Sequence, residues 1–496
     1  MEVRSVYLLG PLTCDEHNSR YRSLRMFIYI LDDDSLLSIF SLCRPVLIDE
    51  DETDNLLILR GGHWTRECWW YKLAHVCRRW RYLILASASY LRLGLVCTRG
   101  TPVADMLTHS PPLPLIIDHL HESGDITMED EEGIMLALQK GDRVRHIRLQ
   151  LPVTILPKLL TAMNGEFPML EYLFIWPQAK HDIHMILPET FRAPHLRHLL
   201  LRNFAHPIGS LSIMTGVNLS ALSLQEIHPS IYFHPNDMLQ RLSLMPQLET
   251  LGISFHSPVP NRDVKRKLVD MPITTHVTLP NLRWFEFGGA SDYLEAILPQ
   301  MTTPLLEKLQ VHFFNQLTIS IPHLLQFIRA AQSLRFSSAG IRFYKDAVDI
   351  LVYPHDRETS YSLSLRALCI HFDWQIAFAV QVFQRLRAVL SPVEYLTLEF
   401  WRYPLSSGTN NKADPTQWRE LIGLFSNVKT LRVGRGDNFV WQLSRSLKGD
   451  EGESPLQLLP ELRELEYPAT QGPGNAFSAF INARQNAGRP VYAVLR

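Results

Sequence analysis

The sequence predicts an α/β protein built from stacked helix–strand units, preceded by a separate helical segment. Three observations support this prediction: a short proline- and leucine-containing phrase recurs, apolar residues alternate after each copy, and apolar residues before each copy have helical spacing. Recurrence at intervals of about 20–50 residues is typical of repeat proteins.

The recurring phrase consists of Pro, Leu two residues later, a polar position, and then two apolar residues in alternation. Complete copies occupy residues 168–175, 246–253, 280–287 and 460–467. Looser copies are centred on Ile147, Leu199, Leu222, Leu309, Leu368, Leu396 and Leu431, and a weaker copy is expected near 334–336.

The end of each phrase alternates with period two, which predicts a short strand with one buried face. In one copy the buried residues would be Leu251, Ile253 and Phe255. In another copy the same pattern selects Leu368, Ile370 and Phe372.

The segment before each phrase has the apolar spacing of a helix. Examples are residues 237–245, 323–328, 382–390 and 418–425, with Asn236 or Asp237 as the expected N-cap of the first. Proline cannot continue a helix and favours extended geometry in the preceding residue, so it separates helix from strand.

A single unit would not fold alone. Burying three strand side chains contributes about 1.5–3 kcal/mol each, whereas ordering about 25 residues costs about 1–2 kcal/mol per residue. Neighbouring units must therefore share their apolar faces. The predicted array resembles an irregular leucine-rich-repeat solenoid, with parallel strands on one face and helices on the other, over residues 98–470. Residues 471–496 would form a C-terminal cap.

Residues 31–97 lack the phrase and are predicted to form a helical module. Residues 32–34 are acidic and suit the N-cap and first turn of a helix. Residues 71–83 are predicted as a second, amphipathic helix because apolar residues recur at helical spacing, and a short element is expected at 89–93. Residues 1–30 fit neither part and are interpreted as an N-terminal extension, with disorder as one interpretation.

The helical module resembles an F-box. The resemblance rests on Leu31, Leu36-Leu37 and Ile39-Phe40, followed by Leu73 and Val76-Cys77-Arg78-x-Trp80. The family's Pro after the first Leu is Asp32 here. An insert at about 45–70 separates the two halves; it is acidic at 49–54 and carries Trp64, Trp69 and Trp70, expected to pad the module or contact a partner.

This resemblance implies that the module binds the Skp adaptor of an SCF-type cullin–RING ubiquitin ligase and that the repeats hold a protein substrate. The whole chain is similar to a large set of such proteins in mushroom-forming fungi. The residues expected to contact the adaptor are Leu31, Leu36, Leu37, Ile39, Phe40, Leu73, Val76 and Trp80.

The substrate surface is expected at polar positions between the buried leucines, where side chains point away from the shared core. Candidates are Arg197, His198, Glu249, Thr250, Arg283 and Trp284. The alternative interpretation is a repeat scaffold for protein interactions with no ubiquitin role, in which the helical module only caps the open end of the array.

Catalytic and metal motifs are not found, so no enzyme activity, cofactor or metal is expected. His181 with His184, and His195 with His198, have ligand-like spacing but no Cys or carboxylate cluster, and are interpreted as structural or surface residues. Residues 434–437 follow a strand but lack the third glycine and the helix start of a phosphate-binding loop, so they are interpreted as a turn.

Composition places limits on the partners. The net charge of −1 disfavours a nucleic-acid binder, and no apolar run approaches the roughly 18 residues of a membrane span. The six cysteines show no Cys-x-x-Cys spacing and are interpreted as reduced thiols in a cytoplasmic or nuclear protein.

Overall fold

The computed structural model describes residues 31–43, 69–120, 126–178, 185–204, 218–228, 233–256, 273–314, 320–331, 333–334, 336–354, 361–369, 371–400, 415–434, 437–448, 456–468 and 476–495. Within these ranges the chain forms 13 α-helices and a 16-stranded, mostly parallel sheet, which confirms the α/β class. None of the described helices combines the length and apolar composition that a membrane crossing requires.

The elements alternate along the chain. The first part comprises α1 (Asp33–Leu42), α2 (Trp69–Ala74), α3 (Arg78–Ala86), β1 (Leu95–Cys97), α4 (Val103–His109), β2 (Leu115–Leu120), α5 (Met128–Leu138), β3 (Val144–Pro152), α6 (Leu156–Ala162), β4 (Tyr172–Gln178) and β5 (His198–Arg202). The middle part comprises β6 (Ala221–Ile227), α7 (Pro235–Leu242), β7 (Thr250–Phe255), β8 (Val277–Thr278), β9 (Trp284–Gly289), α8 (Ser291–Ile297), a 3₁₀ turn (Leu298–Gln300), β10 (Met301–Thr302) and β11 (Lys308–Phe313). The last part comprises α9 (Pro322–Ala330), β12 (Ser338–Phe343), β13 (Ala347–Tyr353), β14 (Leu363–Leu368), α10 (Phe372–Leu390), β15 (Tyr395–Phe400), α11 (Pro415–Gly423), β16 (Thr430–Val433), α12 (Asp437–Lys448), β17 (Glu464–Tyr467), α13 (Ser478–Asn486) and β18 (Tyr492–Leu495).

The large sheet follows chain order over most of its width. Its order is β1-β2-β3-β4-β5-β6-β7-β9-β11-β14-β13-β12-β15-β16-β17-β18. Neighbouring strands are parallel except around β13, which is antiparallel to β12 and to β14. The short strands β8 and β10 form a separate parallel pair.

Equivalent leucines of successive phrases lie side by side in the sheet. Leu173, Leu199, Leu222, Leu251 and Phe285 occupy one row of paired positions across β4, β5, β6, β7 and β9, and all are buried. The stacking of one unit on the next therefore removes each apolar strand face from water, as the repeat pattern predicts.

The helices pack against this apolar face of the sheet. Aromatic pairs make the contact, with ring centroids 6.4 Å apart for Phe285 and Phe327 of α9, and 5.5 Å for Phe343 and Trp418 of α11. The α7 helix starts earlier than predicted, because Pro235 takes the first helical position and His234 is the N-cap, its Nδ1 accepting from the Asn236 N–H at 3.1 Å.

The order of the sheet is interrupted between β11 and β12. After β11 the chain continues to β12, which lies three strand positions away in the sheet. It returns through the antiparallel β13 to β14, which lies beside β11. The 19-residue helix α10 then connects β14 to β15, which lies three strand positions away in the sheet. The helix is about 28 Å long, which is enough to span the roughly 14 Å of three strand spacings. Near the weaker repeat copy expected at 334–336, strand β12 begins at Ser338, two residues after Phe336, which is the offset between Leu306 and the start of β11.

The predicted face of β14 is also wrong. The strand ends at Leu368, which is 41% exposed, and Phe372 starts helix α10; Ile370 lies outside the described residues. The buried face consists instead of Leu363, Leu365 and Ala367. Pairing with β11 and β13 sets this register, and a shift of one residue exchanges the two faces of a strand.

The helical module differs from its prediction in one respect. Asp32 caps α1 as expected, accepting from the Ser35 N–H at 2.7 Å. Residues 71–83 are not one helix, because Cys77 is extended (φ −158°, ψ 171°) and its sulfur caps α3 by accepting from the Trp80 N–H at 3.5 Å. The element expected at 89–93 is a turn that buries Leu91 and Leu93.

The sheet extends beyond the predicted repeat array at both ends. Strand β1 lies within the range predicted for the helical module, and β2 precedes the first predicted strand. Helix α13 and strand β18, in the segment predicted as a C-terminal cap, add one more parallel strand. Residues 1–30 and most of the predicted insert at about 45–70 lie outside the described residues.

Two alanine variants of β14 test its register. We expect Leu365→Ala to lower the free energy of unfolding by about 2–5 kcal/mol, because it leaves a cavity in the core. We expect Leu368→Ala, at an exposed position, to change it by no more than about 0.5 kcal/mol. Urea unfolding measures both free energies. A larger loss for Leu368→Ala than for Leu365→Ala would instead support the buried face expected from the sequence.

Candidate functional site

Helices α1 and α3 of the module are held together by a cation and an aromatic pair. Arg79 Nη2 donates to Asp33 Oδ1 at 2.7 Å and to the Leu31 carbonyl at 2.6 Å. The Phe40 and Trp80 rings meet edge to face with centroids 4.8 Å apart. Arg79 therefore holds the amino end of α1 on α3, and Trp80 of the F-box-like motif holds the part of α1 near its carboxyl end.

The module is joined to the first end of the sheet. Trp70 is buried, and its Nε1 donates to the Gly94 carbonyl at 3.3 Å, one residue before β1. A Cβ at Gly94 would lie only 2.7 Å from Ile116 Cδ1, so a larger residue there would require the Ile116 side chain to shift. Leu36 and Phe40 belong to the same continuous core as the strands, so the module and the first strands share their packing.

The structure separates the predicted adaptor contacts into three groups. Leu36 and Phe40 are each 1% exposed, and they stabilise the module rather than line its surface. Partly buried against the same core are Leu31, Leu37, Leu73 and Trp80. Exposed are Ile39 (42%) and Val76 (56%).

Further apolar side chains of the module are exposed and were not predicted as adaptor contacts, among them Leu42, Tyr82 and Tyr90. Leu42 of α1 is 84% exposed and Tyr82 of α3 is 74% exposed. Leu42 lies three residues after Ile39, so both belong to one side of α1. The helical spacing of Leu42 could have identified it, but spacing alone does not say which side of a helix is covered.

We call the face of the sheet opposite the helices the front face. It carries the side chains that alternate with the core leucines. Three predicted substrate residues, His198, Thr250 and Trp284, lie in one cross-strand row of this face, with Ala221 between the first two. His198 and Trp284 are half-buried.

The other three predicted residues form a second row, at the starts of the strands. Arg197, Glu249 and Arg283 are exposed and bond through their backbones to the starts of neighbouring strands. The row alternates in charge: Arg283 pairs with Glu307, the residue directly before β11. Farther along, Lys429 Nζ lies 2.5 Å from Glu394 Oε1. This alternation can be found in the sequence, because each of these charged residues directly follows the first apolar residue of a copy of the recurring phrase.

The front face is apolar near its amino-terminal side. Tyr172, Phe174 and Leu200 form a buried cluster on β4 and β5. Beside it, the Arg202 guanidinium lies 3.9 Å from the centroid of the Trp176 ring. Such stacked cations contribute about 0.5–1 kcal/mol at exposed sites.

A buried carboxylate lies in the middle of the front face. Glu286 of β9 is 4% exposed, and its Oε2 has no hydrogen-bond partner among the described residues. Burial raises the pKa of Glu286 to about 7, although Lys308 and Arg366 act in the opposite direction. Glu286 can therefore exchange a proton near neutral pH.

Strands β9 and β11 surround this carboxylate with further polar groups. The Lys308 ammonium lies 4.0 Å from the centroid of the Trp284 ring and 4.3 Å from that of Tyr361. The Tyr361 hydroxyl donates to Gln310 Oε1 at 2.7 Å. Burial, helped by Arg366, lowers the pKa of His312 to about 3, so this histidine is neutral at ordinary pH.

A pocket of about 340 Å³ opens on the front face over β12, β15, β16 and β17. Small residues line it: Gly340 pairs with Thr397, and Ser338 and Thr430 pair with Tyr395 from its two sides. Tyr353 of the reversed strand β13 forms one wall, and Tyr395 provides a second aromatic ring.

Charged residues surround the rest of the pocket. Arg342 Nε donates to Glu399 Oε2 at 3.0 Å, and Arg432 Nε lies 3.9 Å from Glu466 Oε2. Burial opposes the charge on Arg342, but Tyr353 and Glu399 more than offset this and raise its pKa. Glu464 also lines the pocket. The sequence did not identify this site, because its strands are not successive in the repeat.

The remaining sequence predictions concern chemistry. His181 and His184 lie outside the described residues, His195 is exposed, and no group of three or more His, Cys, Asp or Glu suited to a metal ion occurs in the described part of the chain. Residues 435 and 436 lie outside the described residues, but α12 begins at Asp437, so the expectation that no helix starts there is wrong. Cys43, Cys77, Cys97 and Cys369 are free thiols.

Comparison with known proteins does not assign the chain to a family. No protein-family model matches it, and a search of curated proteins gives no match.

The substitution Glu286→Gln tests the buried carboxylate. The folded protein holds this proton more tightly than the unfolded chain, whose pKa is near the ordinary 4.5. The contribution of Glu286 to stability is therefore fully present below that pH and lost as pH rises through about 7. Relative to the wild type, we expect the variant to gain about 3 kcal/mol in free energy of unfolding between pH 4 and pH 8.

Urea unfolding across this pH range provides the measurement. Glu189→Gln removes an exposed carboxylate and serves as the control. Parallel pH profiles for Glu286→Gln and the wild type would show that Glu286 does not titrate in this range.

Proposed function

We propose that the protein is the substrate-recognition subunit of an SCF-type cullin–RING ubiquitin ligase. In this proposal the helical module binds the Skp adaptor, and the front face of the sheet binds a protein substrate. The protein itself would be non-catalytic and would position the substrate for the ligase.

The observation that carries the proposal is the surface of the helical module. The motif residue Trp80 and its neighbour Arg79 hold α1 on α3, and the resulting module exposes Ile39 and Leu42 on α1 and Val76 before α3. Exposed aliphatic side chains on a rigid helix pair suit a protein partner, because their burial would contribute most of the binding energy.

The front face supports the second part of the proposal. It combines an apolar cluster at β4 and β5 with charged groups at β12 to β17. Protein interfaces commonly combine an apolar centre with polar groups around it. Attachment of the module to one end of the sheet leaves the front face at a fixed position relative to the adaptor.

The second candidate is a repeat scaffold with no ubiquitin role. The contact of Trp70 with Gly94 and the shared core support this candidate, because a module attached in this way to the first strand is suited to act as an end cap. Repeat arrays need such a cap to cover the apolar face of the terminal unit.

A pull-down with purified Skp adaptor distinguishes the two. We expect the wild type to retain the adaptor, and the double variant Ile39→Asp/Val76→Asp to lose at least about tenfold in affinity, because central apolar contacts contribute about 2 kcal/mol or more each. Both positions are exposed, so the melting temperature should change little. Phe40 is unsuitable for this test because it is buried.

Leu244→Asp is the matched control, since Leu244 is 46% exposed and lies after α7, away from the module. Failure of the wild type to bind, or equal retention of the double variant and the control, would favour the scaffold.

A further inference from the structure

We propose that the pocket over β12, β15, β16 and β17 binds the cationic side chain of a Lys or Arg residue from a protein partner. The inference rests on the proposed role of the front face in substrate binding and names the chemistry of that substrate: an exposed basic residue in an accessible segment.

The shape of the pocket suits one long side chain. Gly340 forms the floor, and its lack of a side chain leaves room between Tyr353 and Thr397. The volume of about 340 Å³ lies at the low end of the roughly 300–1,000 Å³ of ligand pockets. A site of this size accepts an extended side chain more readily than a large cofactor.

The charges of the pocket favour a cation. Both arginines face carboxylates: Arg342 donates to Glu399, and Arg432 lies 3.9 Å from Glu466. Glu464 makes no ion pair or side-chain hydrogen bond with any described residue. Three carboxylates against two guanidinium groups leave one negative charge for an incoming ligand.

Aromatic rings complete the recognition of a cation. Tyr353 and Tyr395 both pair with Ser338, on its two sides in the sheet, so they flank the floor of the pocket. Arg342 Nη2 lies 3.5 Å from the Tyr353 hydroxyl, which holds this ring in place. A cation that reaches the face of a tyrosine ring gains about 0.5–2 kcal/mol.

The protein already contains this arrangement within its own sheet. On β9 and β11 the Lys308 ammonium lies between the rings of Trp284 and Tyr361, and it acts electrostatically on the carboxylate of Glu286. The pocket offers the same groups, two aromatic rings and a carboxylate, to a cation from another molecule. Its tyrosines are half-buried rather than enclosed, so they remain reachable.

Peptide binding to the full-length protein tests the proposal. The probes are fluorescein-labelled decapeptides of Ser and Gly with one central Arg, Lys, Gln or Glu, measured by fluorescence anisotropy at low salt. We expect the Arg and Lys peptides to bind about tenfold more tightly than the Gln and Glu peptides, and this preference to weaken as salt is added.

Three variants locate the binding. Glu464→Gln removes the unpaired charge and should reduce the Arg and Lys affinities about three- to tenfold. Gly340→Leu keeps every charge but fills the floor, and should abolish binding; a Cβ there meets Tyr353 at an ordinary 3.5 Å, so folding should be retained. Glu189→Gln, which removes an exposed carboxylate elsewhere, should have no effect.

The outcomes separate this inference from the proposed function. Equal binding of the Arg and Gln peptides, tighter binding of the Glu peptide, or full binding by Gly340→Leu with an unchanged melting temperature would overturn the pocket's assignment. Retention of the Skp adaptor by the same samples would then leave the ligase proposal intact. Loss of adaptor binding with preserved peptide selectivity would overturn the ligase proposal alone.

Discussion

The structure depends on the burial of one apolar face shared by successive parallel strands. Leu173, Leu199, Leu222 and Leu251 lie side by side at equivalent positions, and each is at most 1% exposed. No unit buries enough surface to fold alone, so the register of each strand is set by its neighbour. The same register decides which residues point to the front face, and therefore where any binding site can form.

Side chains on the front face can include polar and charged groups because they do not take part in the packing of the core. Glu286 is an example: it lies on the same strand as the core residues Phe285 and Phe287, yet keeps a buried carboxylate oxygen without a partner. Such a group is costly for stability. Its neighbours Lys308 and Trp284 show that this face can hold a cation between aromatic rings and beside a carboxylate.

The antiparallel strand β13 contributes to the formation of the pocket. In an uninterrupted parallel array β12 would follow directly beside β11. Here β13 and β14 are placed between them, and Tyr353 becomes a wall of the pocket next to Gly340. Helix α10 then returns the chain to the parallel order, which brings Thr397 and Glu399 beside Gly340 and Arg342. The pocket is thus a consequence of this departure from the repeat order.

The sequence by itself determined the strands with complete phrases, such as those at Leu173 and Leu251, and the start of α1 at Asp32, because periodicity and capping are local properties. It also contained the alternation of charge at Arg283 and Glu307. The tertiary structure alone decided the break at Cys77, the face of β14 and the composition of the pocket. These depend on which strands are neighbours and which side of each element is covered, and long-range pairing leaves no trace in local spacing.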